Sequence, residues 1–155
     1  MQNMKLSDFK TLRNKTSVKL IRKEQHEDNQ YVFEFDAGSV SWRPGEHGIF
    51  SMPSNKVKGK KWRAFSVAST PDEGVIRIAT KITDKSSSFK RHLKNLKKGD
   101  KIAVRGPFGW FYRRDEHTPI VMVATGVGYS NNGNGSSAGT RPNRCNYAGY
   151  LHSSC

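Results

Sequence analysis

The residues best equipped for chemistry sit in one stretch, KWRAFSVAST, residues 61–70. Strand alternation turns Arg63, Phe65, Val67 and Ser69 to one side and Ala64, Ser66, Ala68 and Thr70 to the other, and Pro71 closes the run. A forked cation, an aromatic ring and several hydroxyls therefore share a short length of backbone. The arginine fork suits a phosphate or carboxylate. The ring adds a flat apolar platform. Together they suit a large, flat, anionic ligand lying along the strand. The plainer alternative is a half-buried strand with a solvated arginine.

The rest of the chain must hold that strand in place. With 155 residues it is long enough for one domain with a real core. At 34% hydrophobic and 26% charged it is poor in apolar content, so part of it is expected to stay unstructured. The 27 basic and 13 acidic side chains leave a net charge of +14. That surplus favours anionic partners without choosing among nucleic acid, phosphates, acidic proteins and anionic membrane. No apolar run reaches the roughly 18 residues of a spanning helix. The first twenty residues lack the apolar stretch of a secretory signal. Cys145 and Cys155 lie close to the end and offer neither a disulfide framework nor metal-ligand spacing. The expected compartment is a reducing cytoplasm. His47, His92 and His117 form no metal-like group, and no metal site is expected.

Alternation and turn residues divide the chain into short strands. Residues 1–14 are polar and read as a frayed end or a short leading strand. KTSVKLIR (15–22) alternates, HEDNQ (26–30) is a turn, and YVFEF (31–35) alternates again with Tyr31, Phe33 and Phe35 on one face. Pro44-Gly45 turns the chain into a short strand over 47–52, and a basic loop with Lys56, Lys58, Lys60 and Lys61 leads to the arginine strand. GVIRIATKI (74–82) is a strand. Residues 87–98 form the one helix, with Phe89, Leu93 and Leu96 on its apolar stripe and Gly99 at its end. Lys90, Arg91, Lys94, Lys97 and Lys98 read as its solvated face. KIAVRGPFGWF (101–111) supplies a last strand and turn. The fold class is mainly β: a small antiparallel Greek-key β-barrel of about six strands with one helix, over residues 1–117. The segment 118–128, TPIVMVATGVG, reads instead as a strand buried on both faces that feeds a glycine turn. Residues 129–155 read as a disordered tail.

Five motifs in this order resemble the flavin domain of the ferredoxin-NADP reductase superfamily. They are Arg63-Ala64-Phe65-Ser66-Val67-Ala68-Ser69, Pro44-Gly45-Glu46, the serines Ser87-Ser88 followed by Leu93 and Gly99-Asp100, Gly106-Pro107-Phe108-Gly109, and Val121 to Gly128. The resemblance implies an FAD-binding barrel in an oxidoreductase that passes electrons from NAD(P)H through FAD to an acceptor. It implies that Arg63 meets the pyrophosphate, that Phe65 stacks near the isoalloxazine, and that Ser66 sits by its reactive edge as the catalytic residue. Ser87 and Ser88 would present the helix start to the phosphates, and Thr80 would contact the ribityl chain or phosphates. Thr125, Gly126 and Gly128 would be the remnant of a nicotinamide-nucleotide turn. Phe65 replaces the commoner tyrosine, and the missing hydroxyl bond is worth about 1 kcal/mol of FAD affinity. After Gly128 the family pattern stops, so 118–128 is expected to be the orphan first strand of a truncated, Rossmann-like nucleotide domain, with impaired reductase activity. An acidic electron carrier, a ferredoxin or flavodoxin, suits the positive charge.

A second class competes. A basic barrel that binds single-stranded nucleic acid without flavin would use Trp42, Phe50, Trp62 and Trp110 as stacking platforms. It requires those aromatics to be exposed along one sheet face, whereas the flavin reading buries most of them.

Overall fold

The computed structural model describes residues 15–53 and 55–109. Among the described residues six antiparallel strands form one sheet: β1 Lys15–His26, β2 Gln30–Asp36, β3 His47–Ser51, β4 Trp62–Ser66, β5 Val75–Lys81 and β6 Lys101–Phe108, with one helix, α1, at Ser88–Lys94. Their order is β4-β3-β6-β1-β2-β5. The last strand returns between β1 and β3, the long connection expected of a Greek key. The β1–β2 turn is a short 3-10 segment in which Asp28 and Asn29 adopt left-handed backbone at φ 55° and 58°. These are residue types that tolerate that region.

Alternate residues of each strand fill the barrel. Phe33 pairs with Ile78 and Phe35 with Ile76 across β2 and β5, and all four are fully buried. Val18 and Leu20 of β1, Phe50 of β3 and Val104 of β6 complete the wall of the core. α1 plugs one end. Phe89 and Leu93 are fully buried, and Lys23 of β1 donates to the carbonyls of Lys94 and Leu96 at 2.7 and 2.9 Å. The helix is shorter than its apolar stripe suggests. Asn95 caps it, and Leu96 keeps its place in the core through a tighter bond to Leu93 O at 3.2 Å.

The arginine strand is also shorter than its alternation suggests, because the chain changes partners after Ser66. Val67 N still reaches Glu46 O at 2.9 Å, but Ala68 N crosses to Arg77 O of β5 at 2.7 Å. Ser69 fastens this seam: its hydroxyl donates to Val75 O at 2.6 Å and accepts from Arg77 N at 3.0 Å. Arg77 adds ion pairs to Glu34 at 2.9 Å and Glu73 at 2.8 Å. Burial opposes its charge, but the bonds and charges of Glu34 and Glu73 outweigh that and hold the guanidinium above its ordinary value. β4 and β5, the two ends of the sheet, are thus joined on one side of Ser66. On the other side the seam is filled by α1.

Candidate functional site

β4 is the place where the candidate residues meet. Arg63 and Phe65 are half-buried and face α1, while Trp62, Ala64 and Ser66 are exposed on the opposite side, so the expected alternation is realised. The Phe65 ring stands edge-on to Phe50 at 5.7 Å and tilted against Phe89 at 6.3 Å. It is anchored by core aromatics yet retains exposed surface. The Arg63 guanidinium lies over the same Phe89 ring, 5.8 Å from its centroid. Its Nη1 donates to Trp62 O at 2.8 Å and Lys60 O at 3.3 Å, which holds the fork in place. From Arg63 to Ser66 the strand runs about 10 Å.

The start of α1 borders this edge. Ser87 is the N-cap and accepts from Lys90 N at 3.4 Å. Ser88 Oγ accepts from Lys58 N at 3.2 Å, tying the basic loop to the helix. Lys90 corrects the expectation of a uniformly solvated face. It is half-buried, and its Nζ donates to Lys81 O at the end of β5, 3.1 Å away. Burial, and then the Arg63 charge, push the Lys90 ammonium below the ordinary lysine value. The ion pairs among the described residues belong to Arg22, His26 and Arg77, so neither Arg63 nor Lys90 has a carboxylate partner there. Two cations without a carboxylate partner among the described residues, beside an aromatic platform, fit a flat ligand with a diphosphate.

Thr80 sits in the barrel wall. It is 4% exposed and faces the barrel interior with Ile76 and Ile78, across from Tyr31 of β2, because its place in the alternation of β5 turns it inward. His47, to which sequence reasoning assigned nothing, lies directly across from Ser66 on β3 and packs edge-on against Phe108 of β6 at 4.3 Å. Gly109 makes room for it: a Cβ there would come within 2.8 Å of His47 Nδ1, and its φ of 141° already disfavours other residues. Neither His47 nor Lys90 announces itself in one sequence, because each acquires its neighbours only from cross-strand register or from helix docking. Thr125, Gly126, Gly128, the strand expected at 118–128 and the tail at 129–155 lie outside the described residues.

The nucleic-acid alternative fails its own condition. Trp42 is 7% exposed, with its Nε1 bonded to Ser69 O at 2.9 Å, and Phe50 is fully buried. Trp62 is the one large exposed hydrophobic side chain among the described residues, and Trp110 lies outside them. Among the described residues there is no stacking row.

A six-stranded antiparallel barrel with one helix among the described residues, carrying Arg63 and Phe65 on its edge strand, is the architecture expected of a flavin-dinucleotide domain. Residues 17–112 match the oxidoreductase FAD-binding domain, and the chain belongs to that family. One component of the Na(+)-translocating NADH-quinone reductase of Shewanella denitrificans is 32% identical over 104 residues, covering 61% of this chain and 26% of that protein. The corresponding component from Methylococcus capsulatus is 38% identical over 82 residues, covering 46% and 20%. The chain thus spans about a quarter of the length of these relatives. Among solved structures, a mutant ferredoxin-NADP+ reductase of Plasmodium falciparum superposes with a TM-score of 0.66 at 23% identity, over 78% of this chain and 51% of that one. The cytochrome b5 reductase domain of Ulva prolifera nitrate reductase gives a TM-score of 0.52 at 19% identity, over 63% and 42%.

Proposed function

We propose that this chain holds the flavin in an oxidoreductase that takes electrons from NAD(P)H and passes them to a carrier. The observation that carries the reading is a pair of cations, Arg63 on the edge strand and Lys90 on the helix it faces, that have no carboxylate partner among the described residues, in a chain of this family. Bound FAD would supply the two-electron acceptor and one-electron donor chemistry; the protein binds and orients it. Arg63 neutralises the diphosphate with its remaining donors. Phe65, braced by Phe50 and Phe89, offers the isoalloxazine an apolar wall. Ser66, exposed at the far end of β4, takes its place by the reactive edge from the sequence resemblance. Ser87 and Ser88 keep the start of α1 close to the phosphates through their bonds to Lys90 N and Lys58 N. Thr80, turned into the barrel, is left out of this set. Thr125, Gly126 and Gly128 carry their nicotinamide assignment from sequence resemblance alone.

The partner in this reading is an acidic one-electron carrier such as a ferredoxin or flavodoxin. It is supported by the net charge of +14 and by exposed Lys56, Lys58, Lys60 and Lys61 beside β4. The compartment of this reading is the cytoplasm, a reducing one in keeping with the sparse cysteines. No helix among the described residues is long and apolar enough to cross a membrane. A fluorescence titration of FAD into the full chain and into its Arg63→Met variant tests the assignment. The expected result is binding by the first and a loss of roughly tenfold or more in the second. Equal affinity in the two would remove Arg63 from the site.

A further inference from the structure

We propose that Lys90 is a second cation of the dinucleotide site, closing with Arg63 on the two phosphates, so that the cradle selects a diphosphate over an uncharged flavin. The inference rests on the FAD reading above and adds to it a residue that the sequence motifs do not include.

Each cation is already partly committed within the fold. Arg63 spends one nitrogen, Nη1, on the carbonyls of Lys60 and Trp62, and its other donors have no acceptor among the described residues. Lys90 spends one N–H on Lys81 O and has two more. Both sit beside Phe89: Arg63 lies over its ring, and Lys90 follows it in α1. Neither is answered by a carboxylate among the described residues. If Lys90 served only to staple α1 to β5, a neutral donor would do that without bringing a second positive charge towards Arg63. Arg63 over the Phe89 ring and Lys90 next to Phe89 in α1 put the two cations on the same end of the barrel, and burial, then the Arg63 charge, hold the Lys90 ammonium below its ordinary value. A dinucleotide diphosphate carries a negative charge on each phosphate, and one cation per phosphate converts the repulsion into attraction. Half-burial matters here, because water and salt screen such a site less than an exposed one.

The test titrates the full-length chain and its Lys90→Met and Lys90→Arg variants with FAD and with riboflavin, which has the ring but no phosphate. Calorimetry with inorganic pyrophosphate runs in parallel. The expected result is roughly tenfold weaker FAD binding in Lys90→Met, with a shallower salt dependence. Riboflavin binding stays unchanged, and Lys90→Arg recovers most of the loss. Unchanged FAD affinity in Lys90→Met overturns the proposal. So does an equal loss for FAD and riboflavin, which marks Lys90 as a staple only. If the wild-type chain binds pyrophosphate in a Lys90-dependent way but not FAD, the cation pair stands and the flavin reading falls. If it binds neither, both fall.

Discussion

Phe65 has the ring the site needs but not a hydroxyl. It is half-buried, with Phe50 and Phe89 fixing its plane, so a tyrosine can take the same rotamer and direct its hydroxyl outward. Phe65→Tyr is expected to tighten FAD binding by about 1 kcal/mol, read by fluorescence titration. Tyr31 presents the opposite case. Its hydroxyl is buried with no hydrogen-bond partner among the described residues, while its ring packs on Phe33 at 6.2 Å beneath the Lys94 ammonium at 5.4 Å. Tyr31→Phe removes an unanswered polar group and keeps the ring. It should raise stability by about 1 kcal/mol in urea unfolding. At this scale the sequence is a good guide to residue type and a poor one to surroundings. The pairing of Arg63 with Phe65 is visible in the alternation of one strand. The approach of Lys90 to Arg63 is not, because it depends on how α1 docks across the barrel end.

The seam between β4 and β5 is the element on which the site depends. Ser69 is 5% exposed, and its hydroxyl answers both Val75 O and Arg77 N. Ser69→Ala leaves both groups unanswered in the wall and is expected to cost about 1–3 kcal/mol in urea unfolding. FAD affinity should fall with it, because the seam positions the end of β4. At α1, Ser87→Ala removes the N-cap bond to Lys90 N and is expected to cost about 1 kcal/mol, read the same way. Strands β1, β2, β5 and β6 are legible in the sequence because Val18 and Leu20, Phe33 and Phe35, Ile76 and Ile78, and Ile102 and Val104 repeat at the period of a pleated wall. The length of β4 is not legible. Val67 and Ser69 continue the alternation, but the chain has already turned to a new partner. Thr80 shows the same limit: its type suits a ligand contact, and its register points it inward.

For the whole molecule, charge and fold work together. The surplus of +14 is the feature that leaves both a carrier reductase and a nucleic-acid binder open in the sequence, and burial of Trp42 and Phe50 decides against the second. With the barrel in place, the basic loop runs straight into Trp62, the first residue of β4, which lies under the Lys60 ammonium at 3.7 Å, so positive charge borders the strand proposed to hold the flavin. Reduction of an acidic carrier by a flavin-loaded assembly containing this chain should therefore slow as salt rises, read by steady-state kinetics over an ionic-strength series. A rate independent of salt removes the carrier from this face. The most direct measurement is simpler. The purified chain is mixed with excess FAD, freed of unbound cofactor by gel filtration, and examined by visible absorption alongside far-ultraviolet circular dichroism. The account predicts a β-rich protein that elutes with a structured flavin spectrum, near one FAD per chain, and loses it in Arg63→Met. A β-rich protein that elutes colourless would contradict it.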